Sequence, residues 1–371
     1  MSKRATANTR AKLLPAAQGY RMPAEWEPHE STWLAWPHFK GDWPGKFEPI
    51  PWVYAEIVRN LLRHERVDLI VNSERAEKGA RAVLEHADAL SDNVCFHRWR
   101  TDRVWTRDSG CVFLTPPPAT KEDKNAASLL ALHFQFNGWA KYPNYEFDEK
   151  IGARMAKDAG ARVVRPVSGD HSIVLEGGSI DVNGCGTLIT TEECLLSADQ
   201  QRNPPMDRAG YEQLFADYFA VQSVIWLDGG IAGDDTHGHV DDITRFVAPN
   251  TVVTMIEPNE QNENYADLHA NLGRLKNART PDGQRLDIVE IPMPRPVVFE
   301  GRQLPASYAN FYIANGAVLV PVFNDPNDRI ALNTLAELFP TREIVPIYSG
   351  DLIWGFGALH CMTQQQPAAR S

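Results

Sequence analysis

No CxxC pair occurs in the 371 residues, and the five cysteines, Cys95, Cys111, Cys185, Cys194 and Cys361, are odd in number and scattered. That pattern argues against a disulfide framework and fits a reducing compartment, where thiols stay free. No apolar run approaches the roughly 20 residues needed to span a bilayer. The opening "MSKRATANTRAKLLPAAQGY" has no long apolar core of the kind that directs secretion, so residues 1–21 read as a disordered leader and the cytoplasm is the expected location. Positive charge is also short, with 37 Lys and Arg against 48 Asp and Glu and a formal net charge of −11. This disfavours nucleic acid, whose phosphates call for basic patches. It favours the approach of a cationic small molecule, although an acidic surface also serves solubility alone.

What is present is alternation. Amphipathic stretches with apolar positions at helical spacing are each followed by a short apolar run: "WVYAEIVRNLLRH" with "VDLIV", "EFDEKIGARMAKDAG" with "ARVVRPV", and "AGYEQLFADYFA" with "SVIWL". "YADLHANLGRLKNA" with "LDIVEIPMP" and "RIALNTLAELF" with "REIVPIY" complete the series. Between these units lie paired β-rich runs joined by turn residues, "SIDVNGCGTLITT", "ITRFVAPNTVVTMI" and "FYIANGAVLVPVF". Asn-Gly or Pro-Asn between such runs predicts a hairpin, because those residues tolerate the backbone angles of a tight turn. The repeating unit therefore reads hairpin, helix, strand, recurring about five times at a period of roughly 50 to 70 residues. The proline-rich "TPPPATKEDKNAAS", residues 115–128, sits between two strand-like runs and reads as a hairpin loop rather than a linker. A single α/β domain over residues 22–367 is the expectation.

Four polar segments open or precede strand pairs at similar spacing: "WTRDSG" with Asp108, "LEGGSID" with Glu176, "DDTHGHVDD" with His237, His239 and Asp241, and "SYANFYIANG" with Asn310. The steps from Asp108 to Glu176, to Asp241 and to Asn310 are 68, 65 and 69 positions. Equivalent places in a circular repeat would point at one centre. On a strand, residues two apart share a face, so His239 and Asp241 are expected to present an imidazole and a carboxylate together. Taken singly, "EGG" and "RD" are more often ordinary strand-to-turn junctions, and Trp105 alone would be core. The "HGHVDD" cluster is harder to dismiss, because polar groups among apolar strand residues need partners.

Two chemistries fit that cluster. An HxH pair can begin a metal site completed by carboxylates, but the other histidines fall mostly in helical or ordinary loop contexts. The alternative makes Cys361, in "GALHCMTQQQP", a nucleophile with His239 as acid and base; the bland reading of the same segment is a strand end with a core thiol. A site that gathers Asp108, Glu176 and Asp241 around a thiol is wrong for an ordinary protease, because like charge raises the thiol pKa and repels an oxyanion. A planar cation accounts for the acids. Carboxylates bind a guanidinium bidentately, its charge favours the thiolate, and the indole of Trp105 can lie against its face.

With "MPAEWEPHESTWLAWP", "WTRDSG", "EGGSID", "GHVDD" and "HCMTQQQP" in this order, the chain from about Met22 to Pro367 resembles the agmatine deiminase and bacterial peptidylarginine deiminase-like group of guanidine-modifying enzymes. The resemblance implies a five-bladed α/β propeller (pentein) with pseudo-fivefold symmetry. It implies hydrolysis of agmatine to N-carbamoylputrescine and ammonia, with no metal or organic cofactor. Carried over by motif, Cys361 attacks the guanidinium carbon and His239 protonates the departing ammonia, then activates water. Asp108 and Asp241 grip the guanidinium nitrogens, Glu176 orients His239 or shares in substrate binding, and Trp105 is the aromatic neighbour. His237 and His360 are left as supporting residues. The implied partner is a small cationic guanidine, with neither nucleic acid nor membrane, and a homodimer is compatible with it. One departure is "GFGALHC", from Gly355, where related enzymes carry a glycine-rich "GGGNIHC"; Phe356 and Leu359 are expected to reshape the pocket near the thiol. An arginine residue in a peptide is therefore the rival substrate, and a non-catalytic guanidine-binding protein is the reading from another class.

Overall fold

The computed structural model describes residues 14–118, 128–204 and 206–369. It is a mixed α/β protein: beside two two-stranded pairs, Val167–Ser168 with His171–Ser172 and Val298–Phe299 with Arg302–Gln303, the described residues form five small sheets that share one plan. In each, an edge strand runs antiparallel to a central strand, and a helix leads from the central strand to a third strand parallel to it. Val112–Leu114 pairs with Leu130–Leu132, which pairs with Arg162–Val164 after the helix Ile151–Asp158. Asp181–Val182, Thr187–Thr191 and Ser223–Leu227 repeat the plan around the helix Arg208–Phe219. Thr244–Ala248, Thr251–Ile256 and Asp287–Pro292 do so around Tyr265–Asn277. Tyr312–Ile313, Ala317–Val322 and Glu343–Tyr348 do so around Asp328–Leu338. All three predicted hairpins and all five helix–strand units are present.

The fifth sheet is made from both ends of the chain. Its edge strand is Gln364–Pro367, antiparallel to His29–Ala35, which is followed by the helix Ile50–Leu61 and the parallel strand Arg66–Val71. A second helix, Glu74–His86, and a further parallel strand, Val94–Arg98, extend this sheet to four strands. The sequence reading had passed over both, although Ser73 caps the helix by accepting from the Ala76 N–H at 3.2 Å, an ordinary start signal. The loop expected within residues 115–128 does join two antiparallel strands, and its positions 119–127 lie outside the described residues.

Residues 1–13 of the expected leader also lie outside the described residues. Its last part packs on the fold. Tyr20 is buried and its hydroxyl donates to the Ser128 carbonyl at 3.1 Å, while Arg21 and Thr115 exchange backbone hydrogen bonds. Among the described residues no helix is long and apolar enough to cross a membrane. Around the fifth sheet and its helix Trp33, Trp43 and Tyr54 are all at 0% exposure, and Trp105 and Cys361 belong to that same apolar cluster. Each such side chain contributes about 1.5–3 kcal/mol or more of burial free energy, so the thiol's turn is anchored in a large apolar cluster.

Candidate active site

Each sheet is entered through a short helical turn: Thr106–Ser109, Gly177–Ser179, Val240–Asp242, Tyr308–Asn310 and Leu359–Met362. The first packs on the second, the second on the third, the third on the fourth, the fourth on the fifth and the fifth on the first. Every candidate catalytic residue sits in or at the start of one of these turns. Asp108, Asp241 and Cys361 lie within them, Asn310 closes the fourth, and Glu176 and His239 are the residues immediately before the second and third. Asp108, Glu176, His239, Asp241 and Cys361 are all buried. The expectation that His239 and Asp241 share a strand face is corrected: His239 precedes a 3₁₀ turn that contains Asp241, and the turn brings the two side chains together.

Gly178 marks the point of convergence. A Cβ there would stand 2.6 Å from His239 Nδ1 and 3.0 Å from both Asp108 Oδ1 and Asp241 Oδ2, so only glycine lets three turns deliver their polar groups to one place. Its N–H donates to Asp108 Oδ1 at 3.0 Å. The other Asp108 oxygen accepts from the Trp139 indole N–H at 2.9 Å. Burial first, then the negative charges of Asp241 and Glu176, push the Asp108 carboxyl above its ordinary value against the pull of His239.

Cys361 is 5% exposed, and its sulfur is not walled off in aliphatic packing. It lies 3.7 Å from Asp241 Oδ2 and accepts from the Asn310 side-chain amide at 3.1 Å. Asn310 also places the turn that carries the thiol, its Oδ1 accepting from the His360 N–H at 3.0 Å and the Cys361 N–H at 3.4 Å, while its amide donates to Asp242 Oδ1 at 3.0 Å. Burial, with Asp241, Asp242 and Asp108 adding like charge, holds the thiol well above its usual pKa. Burial and like charge both work against the thiolate here.

His239 is fully buried, with Nδ1 3.9 Å from Asp108 Oδ1 and Nε2 3.9 Å from Glu176 Oε2. Neither nitrogen has a hydrogen-bond partner. Burial opposes its charge, but Asp108, Cys194 and Glu176 together outweigh that and raise its pKa well above the ordinary value. Glu176 is itself fixed by Arg202, whose Nε donates to Oε1 at 3.1 Å. The Arg202 guanidinium overcomes the burial penalty and brings the Glu176 pKa down to about 2. Sequence reading missed Arg202, which lies in an irregular stretch 26 residues after its partner.

Asp241 is held from behind. His360 Nδ1 lies 2.7 Å from Asp241 Oδ2, and His360 Nε2 lies 2.8 Å from Glu25 Oε2. Glu25 in turn accepts from Arg245 at 2.9 Å and Arg107 at 3.4 Å. Glu25 lies inside the quoted "MPAEWEPHESTWLAWP" but had been given no role.

A pocket of about 540 Å³ opens onto Cys361 and is walled by Trp105, Asp108, Trp139, Tyr142, Phe356 and the outer acids Asp42 and Asp235. Trp105 is 6% exposed and presses on Gly357, where a Cβ would meet its ring at 2.7 Å. Phe356 lines the pocket as expected, in a left-handed backbone conformation with φ 66°. Leu359 does not: it is fully buried in the apolar cluster. At the outer wall Asp42 pairs with Arg103 through Oδ1, while its buried Oδ2 has no partner.

The HxH pair does not form a common ligand set. His237 adopts φ 65° and turns away toward Ser197 Oγ at 3.2 Å and Glu193 at 3.4 Å. Ligand-type atoms do gather within 4.8 Å of one another in Glu176, Cys194 and His239, and again in Asp241, Asp242 and Cys361. In the first group one Glu176 oxygen is already committed to Arg202, and in the second Asp242 Oδ1 and the Cys361 sulfur both accept from the Asn310 amide.

The five-sheet α/β scaffold brings a buried thiol, an imidazole and carboxylates together beside one acid-walled pocket. Residues 21–367 match the model of the Porphyromonas-type peptidyl-arginine deiminase family, and the chain belongs to that family. It is 35% identical over 379 aligned positions to the agmatine deiminase of Pseudomonas aeruginosa (strain LESB58), covering 96% of this chain and 98% of the relative. The agmatine deiminase of Stutzerimonas stutzeri (strain A1501) is 34% identical over 95% of this chain and 97% of its own length. Among solved structures, the agmatine deiminase of Enterococcus faecalis superposes with a TM-score of 0.86 at 28% identity, over 96% of this chain and 98% of that one. A cysteine-to-serine variant of the C. jejuni agmatine deiminase, described with substrate bound, superposes with a TM-score of 0.81 at 29% identity, over 94% and 97%.

Proposed function

We propose that this protein hydrolyses agmatine to N-carbamoylputrescine and ammonia through a covalent thiouronium on Cys361, and that its five sheets are the blades of a propeller with pseudo-fivefold symmetry. The single observation that carries the chemistry is a buried sulfur 3.7 Å from Asp241 in a site that also gathers Asp108, Glu176 and His239. Such a sulfur is inert without a cation and ionises when one is bound. The ring of turn-to-turn contacts and the sheet made from both chain ends support the propeller. The names of the relatives support agmatine.

In this reading the guanidinium lies between Asp108 and Asp241, with the indole of Trp105 at its side. Its charge lowers the thiol pKa, the thiol releases its proton to solvent, and the thiolate attacks the guanidinium carbon. The C–N bond to one amino group breaks, and His239 gives that nitrogen its proton. His239, now neutral, takes a proton from water as the hydroxyl attacks the same carbon; the C–S bond breaks, the hydroxyl proton returns to the departing sulfur, and the neutral ureido product leaves. Glu176, kept anionic by Arg202, stabilises the imidazolium. The unpartnered Oδ2 of Asp42 supports a second cation, the distal ammonium, at the outer wall.

The test is ammonia and ureido-product release from agmatine, free arginine and an arginyl peptide. Turnover of agmatine first, lost in Cys361→Ser and unaffected by chelator, is the expected result. Turnover of the arginyl peptide first would make this a peptidylarginine deiminase. Loss of activity with chelator would favour a metal hydrolase, and binding without product would leave a guanidine-binding protein.

A further inference from the structure

We infer that His360 is a positioning residue that decides which of two adjacent buried carboxyls, Asp241 or Asp242, carries the negative charge facing the substrate. The inference rests on the guanidinium reading of the site. Asp241 and Asp242 follow one another in a single 3₁₀ turn, at 0% and 3% exposure. Two carboxylates so placed do not both ionise cheaply, and the one with the better donor keeps the charge. Asp242 accepts through Oδ1 from the neutral amide of Asn310 at 3.0 Å. Asp241 faces an imidazole nitrogen at 2.7 Å.

The second contact of that ring makes the difference. A neutral imidazole carries one N–H, yet both nitrogens of His360 lie within 2.8 Å of carboxylate oxygens. Bridging the two carboxylates therefore takes one donor more than a neutral ring has. Glu25 does not need that donor, because Arg245 and Arg107 already reach its Oε2 and the Ile313 N–H donates to Oε1 at 2.8 Å. Asp181 is 3.4 Å from Arg245, and Asp108 and His239 meet Asp241 around Gly178. The ring's N–H donation is thus directed at Asp241, whose Oδ1 is buried and has no partner of its own, free for a guanidinium N–H. In keeping with this, burial works against both carboxyls, but His360 first, then His239 and Arg245, bring Asp241 below its ordinary pKa while Asp242 is pushed well above.

His360 does not line the substrate pocket. It borders, with Glu25 and Arg107, a separate narrow cleft that shares no lining residue with the first. It therefore acts through Asp241 rather than on substrate.

The experiment uses the full chain carrying Cys361→Ser, so that nothing turns over, and measures binding of guanidinium chloride and of agmatine by calorimetry from pH 5 to 9. With His360 in place, affinity is expected to stay level above about pH 6. In His360→Asn it should fall roughly tenfold near pH 6 and recover toward pH 9 as Asp241 regains its charge, one pKa unit being tenfold. Glu25→Gln should move the profile the same way by less, and it decides the matter if His360→Asn does not fold. An unmoved profile in both variants, or a loss equal at every pH, overturns the inference. Guanidinium chloride carries only the recognised cation, so its profile judges His360 even if agmatine proves not to be the substrate.

Discussion

Two histidines serve this site, both buried, and they are held in opposite ways. Both His360 nitrogens lie within 2.8 Å of carboxylates, and its backbone N–H is taken by Asn310. His239 lies among acids as well, but each nitrogen stops 3.9 Å short and neither is hydrogen-bonded. A buried imidazole without partners is costly, on the order of 1–3 kcal/mol for each unsatisfied group, and is kept only where something else is meant to complete it. In the proposed reaction the contrast separates a reacting base from a supporting one: the ring proposed to exchange protons with substrate is left open, and the ring proposed to set a neighbour's charge is closed at both ends.

Breaking the open side should produce the largest effect. His239→Asn removes the group proposed to move protons, and turnover of agmatine should fall by roughly 10²–10⁴ or more while the thermal midpoint stays near that of the parent. Steady-state rates beside a melting curve check both halves. A variant that keeps more than a tenth of the activity would remove His239 from the chemistry and erase its contrast with His360.

Next in size is the support behind the open ring. Arg202→Met strips Glu176, at 0% exposure, of its cation. Removing one partner of a buried pair costs about 3–5 kcal/mol, because the other charge is left uncompensated. Urea unfolding should show that loss, together with a lower pKa for His239 as Glu176 becomes easier to protonate. A loss below about 1 kcal/mol would mean that Arg202 and Glu176 are not what keep the imidazole charged.

How far the sequence could be read follows the same division. The helix–strand units and hairpins were legible because apolar spacing and turn residues are local, and all five helix–strand units and all three hairpins came out where the pattern put them. Asp108, Glu176, Asp241 and Asn310 were singled out by near-equal spacing and Cys361 and His239 by residue type, and the structure brings these side chains to one centre. What was not legible is what holds them. Arg202 sits in an irregular stretch, and Glu25 lies 335 positions from the imidazole it holds. No local pattern encodes either contact. The strand assumed for "HGHVDD" failed because His237 takes a left-handed backbone angle and the chain then enters a 3₁₀ turn, so side-chain alternation does not apply. That same bend separates His237 from His239 and undoes the HxH ligand pair. The second helix and strand of the fifth sheet, Glu74–His86 and Val94–Arg98, were passed over because they belong to no repeat.

The smallest effect expected is one of pH, and it sets the floor of the site against its outer wall. Glu176, with a folded pKa of about 2 against an ordinary 4.5, contributes stability that is present above pH 4.5 and is lost as pH falls toward 2. Asp42 runs the other way. Burial raises its carboxyl to about 7 from 3.8 despite Arg103, and Asp235 adds to the rise. The folded protein therefore binds more protons at Asp42 than the unfolded chain does between pH 4 and 7, and its contribution falls as pH rises through that window. Asp42→Asn cannot ionise, so its stability should decline less than the parent's between pH 4.5 and 7.5, by on the order of 1 kcal/mol. Urea midpoints at those two pH values measure it. Saturating agmatine should shrink the difference further in the parent, because an ammonium at Oδ2 favours the ionised acid. If agmatine leaves the parent's pH dependence unchanged, the distal ammonium is held somewhere other than Asp42.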